Sequence, residues 1–253
     1  MNGISIVVTT YNEGQNIRDL LASLIIQEQP IEIIVVDSES ADSTPHILEE
    51  YSKKYNYVKY INKKCTRGEG RNIGVKNSKY DCVAFIDGDS IASDSWIKNI
   101  KNNENYDIIA GKIISVGNKK YETERMELFY KNFDVTSPSS NLIYSKSLFL
   151  DLGGFDENFI TAEDIDMNIR AMDKNPKFIY CEDCIVYNKT RNNMASFIKQ
   201  AFWNGYGRKQ LKNKHGKIKQ IHKNQFKLML RARYLIRNFF GSLGFLYCTL
   251  KRK

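Results

Sequence analysis

Three short apolar runs, each stopping at a cluster of polar residues, constrain this chain more than any other feature. Ile4-Ser5-Ile6-Val7-Val8 runs into Thr9-Thr10-Tyr11-Asn12-Glu13-Gly14, residues 31–36 run into Asp37-Ser38-Glu39-Ser40, and Val83-Ala84-Phe85-Ile86 runs into Asp87-Gly88-Asp89. Short runs rich in β-formers read as buried strands. Between the first two lie Ile17, Leu20, Leu21, Leu24 and Ile25, at the spacing of one helix face. Strand, crossover helix and strand make a βαβ unit, whose two strands are parallel. The pattern continues with Asp42 or Ser43 as a helix cap, Pro45 in the first turn, a strand at 58–61 and a helix near 71–77. Parallel strands deliver their polar ends to one sheet edge, where open α/β folds bind ligands. The expected fold class is α/β: a mostly parallel central sheet flanked by helices, with a nucleotide-binding edge.

Asp87 and Asp89 put two hard carboxylates at a strand end. Such ligands suit Mg²⁺ or Mn²⁺ carrying a diphosphate, and Gly88 lets backbone approach a ligand closely. Asp-Gly is also a common turn dipeptide, so a surface turn is the competing account. No G-x-G-x-x-G follows the first strand and no G-x-x-x-x-G-K-[ST] occurs; Gly68-Glu69-Gly70 comes near, with Ile73 in the third glycine's place. Phosphates therefore need a metal and basic side chains rather than a glycine-rich cradle. Arg67 and Arg71 flank that loop and are the candidates, against an account as solvated helix-start charges. A second acidic cluster, Thr161-Ala162-Glu163-Asp164-Ile165-Asp166, opens an amphipathic helix carried on by Met167, Ile169 and Met172. First-turn acids complement the helix macrodipole, which accounts for Asp166; Asp164 is the candidate general base.

Taken in order, Thr9-x-Tyr11-Asn12-Glu13, Val36-Asp37-Ser38-x-Ser40-x-Asp42-x-Thr44, Gly70-Arg71-Asn72-x-Gly74, Asp87-Gly88-Asp89, Gly153-Gly154-Phe155-Asp156-Glu157 and Glu163-Asp164-Ile165-Asp166 resemble glycosyltransferase family 2, with its GT-A fold, over residues 4–210. The stretch from Glu163 to Arg170, with Tyr187, Arg191, Gln200 and Tyr206-Gly207-Arg208, resembles exopolysaccharide transferases of the succinoglycan glucosyltransferase kind. The resemblance implies an inverting, metal-dependent transfer of a sugar from a nucleoside diphosphate sugar, UDP-linked in the first instance, to a glycan or lipid-linked acceptor. It places Thr9, Tyr11, Glu13, Asp37, Arg71, Asp87 and Gly88 on the nucleotide-sugar side, with Tyr11 stacked on the base and Asp37 accepting from the base ring. It assigns Asp87 and Asp89 to Mg²⁺ or Mn²⁺, Asp164 to the general base, and Glu163 and Trp203 to the acceptor side. A half-buried loop aromatic and a turn residue are the other accounts of Tyr11 and Asp37.

Two departures qualify the likeness. Residues 186–191 hold no histidine where many relatives complete metal coordination, and His46, His215 and His222 are all remote in sequence from the acidic motifs. Gln200-Ala201-Phe202-Trp203-Asn204 lacks the arginine of the Q-x-x-R-W signature of processive synthases, so single addition is expected.

At 253 residues the chain fits one α/β domain, residues 1–210, and an extension, residues 211–253. Cys181-x-x-Cys184 has no second pair at zinc spacing, and Glu182-Asp183 reads as a turn between two strands, so thiols in a reducing compartment are expected. Residues 4–8 are too short an apolar stretch, and lack the basic leader, for a secretory signal. Residues 189–253 hold 17 Lys/Arg and no Asp/Glu; the other 21 basic residues face all 29 acidic ones, a net −8 within a chain of +9. Phe239, Phe240 and residues 243–250 add apolar matter too short to span a bilayer. A basic interfacial helix on an anionic membrane surface is expected, in a cytoplasmic protein peripheral to the inner face of the membrane. A helix packed on its own domain with a solvated basic face is the alternative. The apolar content and the lack of any nucleic-acid motif speak against nucleic acid as a partner.

Two further classes compete with a transferase. A non-catalytic nucleotide-sugar or glycan-binding module of polysaccharide assembly has no need of both Asp89 and Asp164, which are both present. A nucleotidyltransferase wants a glycine-rich loop with Arg and Lys where this chain has Thr-Thr-Tyr-Asn-Glu.

Overall fold

A computed structural model describes residues 2–117, 127–190, 193–216 and 232–251. β1 (Ile4–Thr10), β2 (Ile31–Asp37), β3 (Val58–Asn62) and β4 (Cys82–Asp87) run parallel in the order β3-β2-β1-β4. They are linked by α1 (Ile17–Ile25), α2 (Thr44–Lys54) and α3 (Arg67–Lys76). Strand alternation divides the core between the two faces of the sheet. Ile4, Ile6 and Val8 of β1 and Ala84 and Ile86 of β4 pack with Leu20, Leu24 and Trp96, whereas Val7, Val83 and Phe85 pack with Val75, Phe149 and Met167. The register pairs Thr10 with Asp37 and Thr9 with Asp87, so the polar strand ends meet at one edge as the sequence predicts.

α3 begins earlier than expected because Thr66 accepts a hydrogen bond from the Glu69 backbone N–H at 3.3 Å, the spacing of a capping box. It also lies hard against β1: a Cβ at Gly74 would stand 2.3 Å from Val7 Cγ1.

The second half contains β5 (Ser90–Ala92), α4 (Trp96–Lys101), β6 (Ile108–Val116), the short pair β7 (Phe129–Tyr130) and β8 (Phe133–Asp134), β9 (Leu142–Ser145), α5 (Lys146–Asp151), α6 (Glu163–Asp173) and β10 (Phe178–Lys189). The full sheet has the order β3-β2-β1-β4-β9-β6-β10-β5, with β9 antiparallel to both neighbours, β6 parallel to β10 and β5 antiparallel to it. Four of the seven pairings are parallel.

Cys181 and Cys184 depart from expectation. They lie within one strand, β10, rather than astride a turn between two, and they are joined in a disulfide rather than present as thiols. The cause is a bulge: Cys181 pairs with Gly111 and the next pairing is Ile185 with Lys112, so the intervening residues leave the ladder. Asn141 seals the bulge, its Nδ2 donating to the carbonyls of Cys184 at 2.8 Å and Lys112 at 2.9 Å.

α7 (Met194–His215) runs unbroken through the expected domain boundary at residue 210. α8 (Ala232–Leu250) packs along it at backbone contact. A Cβ at Gly205 would stand 1.7 Å from the Gly241 carbonyl oxygen, and one at Gly244 would stand 1.9 Å from that of Phe202. α8 thus docks on α7, while Leu235, Phe239, Leu243, Leu246 and Leu250 stay exposed. Lys217, Lys219, Lys223, Lys227 and Arg231 of the basic segment, and Arg191, lie outside the described residues. Among the described residues no helix is long and apolar enough to cross a membrane.

Candidate active site

A cleft of about 2300 Å³ opens at the polar edge and is lined by Arg67, Arg71, Asp87, Asp89, Glu163, Asp164 and Trp203, among others. The fold thus gathers both acidic clusters of the sequence, from the end of β4 and the start of α6, around one space.

Arg71 ties them together. Its side chain is 2% exposed. One guanidinium nitrogen donates to Asp87 Oδ1 at 2.8 Å and the other terminal nitrogen donates to Glu163 Oε1 at 2.8 Å. Burial disfavours its charge, but Asp87 and Glu163 outweigh that and hold its pKa above the ordinary value. The sequence expects Arg71 on the nucleotide-sugar side; its guanidinium makes this internal bridge, and the residue also lines the cleft. Arg67 remains at the cleft surface, its Nε 3.8 Å from Glu163 Oε1. The neighbouring Asn72 clamps the loop before α6, accepting from Phe155 N at 2.9 Å and donating to the Phe155 carbonyl at 2.9 Å and to Glu157 at 3.0 Å.

Asp164 lies beside this bridge with part of its surface open to the cleft and protein on its other sides. Its Oδ1 accepts from Ile165 N at 2.9 Å. Loss of hydration first, and the Glu163 charge second, push its pKa up to about 6, against the opposing pull of Arg71 and Arg67. The turn that presents it is strained: Ala162, just ahead of α6, sits in the left-handed region at φ 65°.

Asp166 is more than a first-turn charge. It is fully buried and receives Arg170 Nε at 2.9 Å, Lys214 Nζ at 2.8 Å and His215 Nε2 at 2.7 Å. The fold therefore brings His215 onto an acidic motif from which it is remote in sequence, and pins the end of α7 to α6.

Asp87 and Asp89 end β4 and open the turn into β5, with Gly88 between them. A Cβ on Gly88 would stand 2.9 Å from Thr10 Oγ1, so the glycine lets this turn pack closely on β1. Among the described residues no three or more His, Cys, Asp or Glu side chains converge as a metal centre. Two carboxylates fit a hard divalent cation that takes its remaining oxygens from phosphate and water. Asn188, in the stretch without histidine, lines the cleft and accepts from Ser90 Oγ at 2.8 Å.

The remaining expected donor-side residues stand outside this cleft, at the ends of β1 and β2. Tyr11 is 61% exposed, not half-buried. Asp37 is fully buried and holds the Ser40 hydroxyl and, at 3.1 Å, the Ser40 backbone N–H, the behaviour of a turn residue. Its loop is stitched to the one carrying Tyr11 and Glu13 by bonds from Asn12 N to Ser40 Oγ at 2.7 Å and from Glu13 N to Thr44 Oγ1 at 2.9 Å. Thr9 is half-buried beside them. Sequence reasoning did not assign Lys199, Arg208, Lys212 and Arg237 to the cleft, whose basic lining they supply. The four-residue recurrence of Gln200, Asn204, Arg208 and Lys212 was the available signal.

The sequence model of glycosyl transferase family 2 matches residues 5–162, more than half of the chain. The chain belongs to that family and is a glycosyltransferase. It is 25% identical over 225 residues to the glycosyltransferase AglE of Haloferax volcanii, an alignment covering 82% of this chain and 73% of the relative. Its fold is similar to that of S. aureus TarS, solved in complex with UDP-GlcNAc, with a TM-score of 0.62 at 20% identity over 95% of this chain and 81% of the other. It is also similar to mannosyltransferase PcManGT from Pyrobaculum calidifontis, solved with GDP-Man and Mn²⁺, with a TM-score of 0.66 at 14% identity over 98% and 73%. These likenesses establish the GT-A fold. The family match stops just before Glu163, so Asp164 rests on geometry and resemblance rather than on the match.

Proposed function

We propose that the chain is an inverting glycosyltransferase that moves a sugar from a nucleoside diphosphate sugar, a UDP-sugar first, to a hydroxyl of a glycan or lipid-linked acceptor, with Asp164 as general base. One observation carries the reading: a single cleft holds the strand-end pair Asp87 and Asp89 together with Asp164. In an inverting transfer the acceptor oxygen attacks the anomeric carbon and the nucleoside diphosphate leaves with the bonding pair. One carboxylate within hydrogen-bond reach takes the acceptor proton. Asp164, raised to about 6, is ionised at neutral pH yet more basic than an ordinary aspartate. Glu163 is anchored by Arg71 and orients its neighbour; no second nucleophilic carboxylate is required.

Asp87 and Asp89 would hold Mg²⁺ or Mn²⁺, which when bound neutralises charge on the departing diphosphate. Tyr11 offers an exposed ring to the base, with Thr9, Glu13 and Asp37 beside it on the nucleotide-sugar side and its loop tied to that of Asp37 by the bond from Asn12 N to Ser40 Oγ. Trp203 supplies an aromatic wall for an acceptor sugar. The exposed apolar residues of α8, in the basic part of the chain, suit the anionic inner face of a membrane, where the protein would bind peripherally.

A panel of nucleotide sugars, assayed for transfer and hydrolysis with Mg²⁺ or Mn²⁺, tests the reading. Asp164→Asn should lower transfer by about 10²–10⁴-fold with donor affinity unchanged. An equal loss of donor affinity would reassign Asp164 to binding.

A further inference from the structure

Tyr206-Gly207-Arg208 stands out in the sequence, and the transfer chemistry above gives its glycine no task. Gly207 lies buried in the second half of α7. A Cβ there would stand 2.9 Å from Ala162 Cβ, 2.9 Å from Thr161 Cγ2 and 3.2 Å from the Thr161 carbonyl oxygen. None of these is the end of a flexible side chain, so α7 lies this close only with a glycine at 207. Gly205, two residues away and about 200° around the helix, makes the corresponding contact with α8 on the other side.

The turn that Gly207 meets is the one that presents Asp164. Ala162 precedes α6 in the left-handed region, at φ 65°, where glycine is the ordinary residue, and its methyl group cannot cap the helix. Neither backbone preference nor a side-chain cap therefore holds this turn. α7 does. From the same side of that helix, at three- and four-residue spacing, Gln210 accepts from Ile160 N at 3.2 Å and donates to the Asn158 carbonyl at 2.9 Å, and Lys214 reaches Asp156 at 2.7 Å and Asp166 at 2.8 Å. These bonds fall before and after the turn, and the glycine seat falls on the turn itself. Thr161, Ala162, Glu163 and Asp164 all line the cleft, so a shift of this segment moves the carboxylate relative to Asp87.

We propose that Gly207 is a positioning residue for sugar transfer: it seats α7 against Thr161 and Ala162 and so fixes the turn that aims Asp164 at the acceptor hydroxyl. The inference rests on the reading of Asp164 as general base and adds the part of the fold that holds it.

Carboxyl-carbon NMR of the full chain, with labelled aspartate and Asp164→Asn to assign the signal, follows Asp164 without substrate. Besides its burial, the charges that bear on it are Glu163 on α6 and Arg71 and Arg67 on α3. Gly207→Ala keeps those charges but pushes the turn off α7 and admits water, so the titration midpoint should fall from about 6 toward 3.8. UDP-sugar turnover should fall by about 10- to 100-fold, the cost of a reacting group misplaced by about 1 Å, with UDP affinity by calorimetry unchanged. Adding Thr161→Ser and Ala162→Gly removes both atoms that the new methyl meets at 2.9 Å and should restore midpoint and turnover together. A role confined to stability would move the urea midpoint of Gly207→Ala and leave the Asp164 titration where it was; that result, or failure of the paired substitutions to restore the titration, overturns the proposal. A fall in UDP affinity with saturated turnover unchanged gives the glycine to the donor side and overturns it too. Should Gly207→Ala not fold, Gln210→Ala, which removes the two bonds ahead of the turn, should lower the Asp164 midpoint in the same direction, and an unchanged midpoint there overturns the proposal. If Asp164→Asn kept wild-type turnover, the base reading would fail by itself, and the Asp164 titration in Gly207→Ala would still decide whether α7 positions the group.

Discussion

Asp164→Asn should make the protein more stable as well as inactive, and the gain should depend on pH in a defined way. Burial and the Glu163 charge raise the Asp164 pKa from 3.8 to about 6. Each unit is worth about 1.4 kcal/mol, so keeping this carboxylate ionised costs the folded state about 3 kcal/mol at most, and less to the extent that its cleft-facing part stays hydrated. The folded state holds the proton more tightly than the unfolded chain, so the stability from this group is complete below pH 3.8 and is lost as the pH rises through about 6. Asparagine has nothing to ionise and keeps the bond from Ile165 N to its side-chain oxygen. Urea unfolding of both proteins at pH 4 and pH 7.5 should give nearly equal stabilities in acid and an advantage of about 1–3 kcal/mol for the variant at the higher pH. In thermal melts that advantage corresponds to a few degrees, at about 2–4 °C per kcal/mol for a chain of this size. A variant no more stable than wild type at pH 7.5, or one whose advantage is the same at both pH values, would refute the electrostatic account of the site.

Three other outcomes are expected. Arg71→Met leaves Glu163 buried and Asp87 half-buried without their shared cation and should cost about 3–5 kcal/mol in urea unfolding. Asp89→Ala should abolish the dependence of UDP-sugar turnover on Mg²⁺ or Mn²⁺ along with the turnover itself, leaving the far-ultraviolet circular dichroism intact; metal-dependent turnover at wild-type rate would remove Asp89 from the centre. Gly205→Val puts a side chain where the Gly241 carbonyl lies and should undock α8, read as rapid proteolytic release of the helix from a core that still binds UDP.

The first half of the fold was open to reading because strand period and helix period alternate there and each strand stops at polar residues. Residues 4–8, 31–36, 58–61 and 83–86 all fall in the parallel strands β1 to β4, and the pairing of Thr10 with Asp37 and of Thr9 with Asp87 follows from parallel register. The second half was not, because its order rests on contacts distant in sequence. Nothing local says that β9 must insert between β4 and β6. Glu182-Asp183 reads as a turn but forms a bulge inside one strand rather than a link between two. The acidic clusters of the site were legible by residue type, their surroundings were not. Nothing local shows that Arg71, read as a phosphate candidate, bridges Asp87 to Glu163 from a distant part of the chain. Asp166 looked like a cap because its partners Lys214 and His215 arrive from the far end of α7.

The glycine contact between α7 and α8 has a mechanical consequence. Where side chains separate two helices, rotamer changes absorb small displacements. Gly205 and Gly244 instead set one helix's Cα against the other's carbonyl oxygens, beside the packed rings of Phe202, Tyr206 and Tyr247. At the two glycine contacts a displacement of α8 meets the α7 backbone directly, and so bears on Trp203 and Arg208 on the cleft wall and on Lys214 and His215 at Asp166. On the reading proposed above, a membrane under α8 would set how high above it an acceptor hydroxyl must stand to meet Asp164, with the helix pair as the gauge block.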